Sequence, residues 1–309
     1  MLHGVLFFPV TPFTAAGDVD YEALAAHVAR GADAGPGALF VACGTGEFHA
    51  LEVGEYEQIV ATALEVVNGR IPVFAGAGGS IAQARQFAAA AHRAGAQGLL
   101  LLPPYLVTMP QQGLIDYVTA VTQVTELDVI VYHRGNARFT ADSAAVVAQL
   151  PTVIGLKDGV GDVELMTRIV SAVRAALASS DKAFQFFNGM PTAEASQPAY
   201  RAIGVPLYSS AVFAFAPDIA LAFYTALERD DHETVAALLA GFYHPLIRLR
   251  DTTPGYAVSL IKAGVSASGI DAGPVRPPLV DAAPEHVAEL ARITAAGRAV
   301  VSEIGQSRR

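Results

Sequence analysis

A chain of 309 residues, 52% hydrophobic and 16% charged, is long enough for one large barrel or two ordinary domains around a substantial core. Its net charge of −9, from 29 acidic against 20 basic residues with no basic cluster, argues against a nucleic-acid partner. The single cysteine, Cys43, excludes an intrachain disulfide, argues against a structural zinc site and fits a reducing cytoplasm.

The stretch Met1 to Phe13 is apolar but has no basic leader and carries Pro9 and Pro12, so no signal peptide is expected. No uncharged apolar run reaches the roughly 18 residues of a membrane helix. Short runs of Val, Ile, Leu and Phe then alternate with Ala-rich stretches of helical period, the pattern of parallel strands buried on both faces. The first strand is predicted at Val5 to Phe8, with a helix over Tyr21 to Ala34 after the Gly17-Asp18 turn. Strand two, Leu39 to Ala42, leads through Gly44-Thr45-Gly46-Glu47 to a helix over Glu55 to Val67. Strand three, Pro72 to Ala75, leads through Gly76-Ala77-Gly78-Gly79 to a helix over Ile81 to Arg93. Strand four is Gly98 to Leu102, and strand five, Val129 to Tyr132, runs into His133-Arg134. Strand six, Val153 to Lys157, precedes Asp158 and a helix over Asp162 to Ala178. Strand seven, Phe184 to Asn188, precedes Gly189, and strand eight, Val205 to Tyr208, precedes Ser209-Ser210.

Eight strand-helix units in about 230 residues match the α/β class as a (β/α)8 TIM barrel. Residues 1–229 are assigned to the barrel and 230–309 to a C-terminal helical extension, with helices near Asp231 to Leu249, Tyr256 to Ala263 and Pro284 to Arg298, and a connecting segment from Gly269 to Pro278. An open doubly wound sheet shows a similar alternation, but it gathers its chemistry at one switch point. Here five strands end on polar residues, as a barrel mouth requires.

Lys157 is the sharpest candidate. Desolvation at the end of a buried strand lowers an ammonium pKa toward the range where the neutral amine attacks a ketone. A strand-end lysine can equally snorkel to solvent or pair with Asp158. Tyr132, on the adjacent strand, would share the mouth and could shuttle a proton, or simply pack with its hydroxyl satisfied. Gly44-Thr45-Gly46 can direct amides at a carboxylate, or form a plain tight turn before a helix capped by Glu47. Arg134 and Arg138 are candidate carboxylate clamps or solvated surface arginines. Gly76 to Gly79 lacks the spacing of a nucleotide loop and reads as a close approach to the barrel. His133 has no partner at metal-ligand spacing, and no metal site is assigned.

With these residues in place, GTGE at 44–47, Tyr132, and GLKDGVGD at 155–162 resemble the dihydrodipicolinate synthase and N-acetylneuraminate lyase superfamily of Schiff-base barrels. LPPYL at 102–106, FNGMPTAE at 187–194, YSSAVF at 208–213, GYAVSLIKAG at 255–264 and GPVRPPL at 273–279 resemble its 5-dehydro-4-deoxyglucarate dehydratase branch. The resemblance implies Lys157 as Schiff-base lysine, Tyr132 as acid/base and Thr45 in a proton relay and carboxylate site. Gly44, Thr45, Gly46, Arg134, Asn188, Gly189, Ser209 and Ser210 are the expected contacts to a small dicarboxylate keto acid.

It further implies decarboxylating dehydration of 5-dehydro-4-deoxy-D-glucarate in D-glucarate and galactarate catabolism, without a cofactor, by a cytoplasmic homotetramer. A Schiff-base aldolase acting on another 2-keto acid and a non-catalytic keto-acid-binding barrel are the alternatives. Three positions depart from the family patterns. Leu106 stands where the synthases carry the second of two tyrosines, Arg134 and Arg138 only approximate the synthase arginine spacing, and His133 stands where the dehydratases tend to have asparagine.

Overall fold

The computed structural model describes residues 1–307. Eight parallel strands close into one barrel in sequence order, β8 pairing back on β1. They are β1 Leu6–Phe7, β2 Ala38–Val41, β3 Val73–Ala77, β4 Gly98–Leu101, β5 Asp128–His133, β6 Val153–Asp158, β7 Gln185–Asn188 and β8 Leu207–Ser210. The helices around them are α1 Tyr21–Asp33, α2 Val53–Val67, α3 Ile81–Ala94, α4 Gln111–Thr122, α5 Ala141–Ala148, α6 Val163–Ala176, α7 Gln197–Ala202 and α8 Pro217–Glu228.

Side-chain alternation along each strand makes two cores. Leu6, Ala38, Phe40, Phe74, Leu100, Ile130, Phe187 and Leu207 fill the barrel. Phe7, Leu39, Val41, Val73, Leu99 and Val131 face outward and pack with the apolar stripes of the helices. Inside, Phe8 stacks on Phe40 with ring centroids 4.7 Å apart, and Phe40 stacks on Phe74 at 4.9 Å. Each such ring taken from water contributes roughly 1.5–3 kcal/mol. Helix starts are marked locally: the carboxylate of Asp20 accepts from the Ala23 amide and that of Asp162 from the Leu165 amide, each at 2.9 Å. As expected, Gly76 admits a close approach, since a Cβ there would lie 2.3 Å from the Ala42 carbonyl oxygen.

The last helices are α9 His232–Leu238, α10 His244–Arg250, α11 Tyr256–Ala267 and α12 Pro284–Ser307. The single helix expected over Asp231 to Leu249 contains a π-turn, Leu239–Tyr243. Pro245 has no N–H for the Gly241 carbonyl, and the helix widens just before it. Helix α12 runs past the expected Arg298 and packs on α8, α10, α11 and the π-turn. No helix among the described residues is long and apolar enough to cross a membrane.

Candidate active site

Strands β5 and β6 pair in parallel with Tyr132 opposite Lys157. Both follow the inward phase of their strands, so both emerge at the C-terminal mouth, into a cavity of about 470 Å³. Lys157 is only 6% exposed, and among the described residues its ammonium makes no hydrogen bond or ion pair. It lies 4.1 Å from the centroid of the Phe8 ring and 4.7 Å from that of Tyr132. Desolvation, with a smaller push from the Arg134 charge, lowers its pKa to about 7.

The Tyr132 hydroxyl donates to the Gly189 carbonyl at 2.7 Å and accepts from Arg134 Nη1 at 2.8 Å. Burial raises the phenol pKa, and the neighbouring guanidinium opposes that rise. Two glycines make this packing possible. A Cβ at Gly189 would sit 2.5 Å from Lys157 Cε, and one at Gly159 would sit 2.8 Å from Tyr132 Cε2.

Asp158 does not pair with Lys157. Its carboxylate accepts from the Val160 amide at 2.9 Å, the Gly161 amide at 3.3 Å and the Tyr200 hydroxyl, and so folds the chain leaving β6. His133 is buried, accepts from the Phe139 amide on Nδ1 at 2.9 Å and places Nε2 3.8 Å from Asp158. Burial lowers its pKa, so it serves as a neutral bracket for the turn over residues 134–137.

The remaining expected residues divide. Gly44, Thr45, Arg134, Gly189 and Ser209 line the cavity with Lys157 and Tyr132. Gly46, Asn188 and Ser210 do not. The Gly46 carbonyl accepts from the Thr11 hydroxyl at 2.7 Å. Asn188 is fully buried, donating to the Ala193 carbonyl, Ser196 Oγ and Gln197 Oε1 and accepting from the Met190 amide, which shapes the loop after β7. The Ser210 hydroxyl turns outward to Glu194, 2.5 Å away; burial raises that carboxyl pKa to about 7.

These three are corrections of the direct substrate contacts expected from sequence: inside-outside alternation turns Asn188 and Ser210 outward at the ends of β7 and β8, and Gly46, five residues beyond β2, is drawn to Thr11 instead. Glu47 stands at the N-cap position of the short 3-10 turn Phe48–Ala50, but its side chain makes no capping bond: it is fully buried and paired with Lys262. Arg138 is exposed, bonds the Gly135 carbonyl and lies outside the cavity.

Arg250, Thr192 and Tyr256 line the cavity without having been singled out. Arg250 closes α10, and its Nη1 donates to the Pro191 carbonyl and to Thr192 Oγ1, both at 2.9 Å. Its isolated position in a helical stretch carries no local signal. Tyr256 belongs to the GYAVSLIKAG motif, whose apolar residues Leu260 and Ile261 also face the cavity. Among the described residues, no three His, Cys, Asp or Glu side chains converge on a metal position.

Fold and pocket together define a (β/α)8 barrel with a desolvated amine at its mouth. The chain belongs to the dihydrodipicolinate synthetase family, whose model matches residues 1–296. It is 55% identical over 300 residues to a protein of Streptomyces griseus named "Probable 5-dehydro-4-deoxyglucarate dehydratase", covering 97% of this chain and 93% of that one. A dihydrodipicolinate synthase of Oceanobacillus iheyensis superposes with TM-score 0.85 at 24% identity, over 96% of each chain. A monomeric dihydrodipicolinate synthase variant superposes with TM-score 0.83 at 25% identity, over 96% of this chain and 97% of that one.

Proposed function

We propose that the chain is a decarboxylating dehydratase that converts 5-dehydro-4-deoxy-D-glucarate to 2,5-dioxopentanoate, water and carbon dioxide through a Schiff base on Lys157. The carrying observation is a desolvated amine in register with a buried phenol, in a chain 55% identical to a protein named for that dehydratase activity.

With a pKa near 7, a large share of Lys157 is neutral at neutral pH and free to attack the substrate ketone. Loss of water gives a protonated imine, which acidifies the neighbouring methylene. A carboxylate of the substrate takes that proton, and the enamine expels the β-hydroxyl. The raised pKa of Tyr132 keeps the phenol protonated, suited to delivering the proton that turns the leaving hydroxyl into water. The conjugated imine then accepts the electron pair released as the distal carboxylate departs as carbon dioxide, and the resulting dienamine-enol takes up a proton on carbon and tautomerises to the aldehyde. Hydrolysis frees the product and Lys157. The imine itself is the electron sink.

In this reading the Gly44-Thr45 loop and Ser209 hold the carboxylate beside the ketone. Arg134 orients Tyr132, and Arg250, anchored on Thr192, faces the distal end of the substrate. A homotetramer is part of the proposal, supported by the exposed apolar side chains of Tyr105, Leu106 and Val107 beside the mouth. So is a cytoplasmic setting, which fits the one free, buried cysteine, Cys43.

The test is to supply the keto acid, follow carbon dioxide and semialdehyde by mass spectrometry, and map the borohydride-trapped adduct. Stoichiometric release of both products, an adduct on Lys157, and no turnover by a folded Lys157→Ala variant are expected. Pyruvate as product would mark an aldolase, and an adduct without any product a binding protein.

A further inference from the structure

The substrate-facing loop after β2 is held from outside the barrel. Glu47, which follows Thr45 and Gly46, is fully buried with its backbone in the left-handed region at φ 57°. Its Oε1 lies 2.8 Å from Lys262 Nζ on α11, and its Oε2 accepts from the Arg276 amide at 2.8 Å. Lys262 is 2% exposed, donates also to the Pro274 carbonyl at 2.5 Å, and places its ammonium 4.0 Å from the centroid of the Phe13 ring. Arg276 lies over the same ring at 4.1 Å and grips Glu55 with two bonds of 2.5 and 2.7 Å. Three motifs far apart in sequence, GTGE, GYAVSLIKAG and GPVRPPL, therefore meet at one carboxylate.

Burying two charges is a poor way to gain stability, because desolvation consumes most of the attraction. What a fully bonded pair supplies is geometry. The left-handed Glu47 backbone is maintained only because its surroundings over-determine it. Both carboxylate oxygens are engaged by the C-terminal layer, while the Gly46 carbonyl is fixed by Thr11. The loop after Ala42, itself left-handed at φ 49°, is thus clamped at its Gly46–Glu47 end and closed by the Phe48 amide donating to the Cys43 carbonyl at 3.1 Å, with Gly44 and Thr45 presented to the cavity.

We propose that Glu47 and Lys262 are positioning residues: the buried pair fixes the Gly44–Gly46 loop so that its amides and the Thr45 hydroxyl stand ready for the carboxylate of a 2-keto acid. This rests on the Schiff-base reading above and adds that the C-terminal layer, together with Thr11, sets the carboxylate site.

The test compares two ketones that differ in the carboxylate alone. Pyruvate and hydroxyacetone are each titrated in cyanoborohydride trapping on Lys157, with the unaltered protein, Lys262→Met and Glu47→Gln/Lys262→Met. The double variant leaves no uncompensated buried charge and covers the case where the single one unfolds. The half-saturating pyruvate concentration is expected to rise about tenfold or more in the double variant, with hydroxyacetone trapping unchanged. Unchanged pyruvate saturation, or equal losses for both ketones, overturns the inference. Trapping of neither ketone by the unaltered protein removes the Schiff-base reading, and the positioning role falls with it.

Discussion

Lys157 is buried against two aromatic faces with no counter-charge, and its pKa falls from the usual 10.5 to about 7. Below pH 7 both folded and unfolded chains bind the proton, so the folded state bears the full penalty. Between pH 7 and 10.5 the unfolded chain binds more protons, and stability rises with pH. Lys157→Met should therefore raise stability by an amount on the order of 3 kcal/mol at pH 6. The gain should shrink toward zero near pH 10, as followed by thermal melts across pH. The same titration governs reactivity: at limiting pyruvate, the trapping rate of the unaltered protein should drop about tenfold per pH unit below 7 and level off above it. A plateau continuing to pH 5.5 would remove Lys157 as the titrating nucleophile. The lysine and tyrosine were legible in the sequence because each closes an apolar run. That Asp158 turns away from Lys157 was not, since its partners, the Val160 and Gly161 amides and Tyr200, are set by loop and helix packing.

All eight strands appear where short apolar runs predict them, with no end moved by more than two residues. Strand limits shift because pairing, not the apolar run, decides where a strand stops. His133 and Asp158 are register partners, so β5 and β6 each extend one residue beyond the expected ends, Tyr132 and Lys157. The same alternation that fills the barrel sends Ser210 outward while Ser209 faces the cavity, a distinction that depends on a register the sequence does not print. Arg250 reaches the site only through the packing of α10 against the loop after β7, which no local pattern encodes. That loop is itself sensitive: Gly189→Ala would force a methyl to within 2.5 Å of Lys157 Cε and shift the carbonyl that binds Tyr132. A loss of about 10²-fold in kcat is expected with an unaltered far-UV CD spectrum. Near-normal kcat would show that the Lys157–Tyr132 geometry tolerates this displacement.

As a whole the molecule is acidic, at −9, yet is proposed to take a dianionic substrate. Arg134 and Arg250 supply positive charge at the mouth against that background. The exposed Leu106, 87% accessible, stands beside Tyr105, which reaches the cavity, so an interface there would abut the site. If the proposed homotetramer forms through this patch, Leu106→Asp should lower the mass measured by light scattering from that of four 32.1 kDa chains toward smaller species. An unchanged mass would place the subunit contacts elsewhere. Helix α11 contributes Tyr256, Leu260 and Ile261 to the cavity wall, whereas Lys157 and Tyr132 stand on barrel strands. The buried lysine and this part of the cavity wall are thus written in separate stretches of the coding sequence. Exchange of α11 can recast the cavity wall while the strand residues Lys157 and Tyr132 are inherited intact, provided that Lys262, which holds the loop after β2 through Glu47, comes with it.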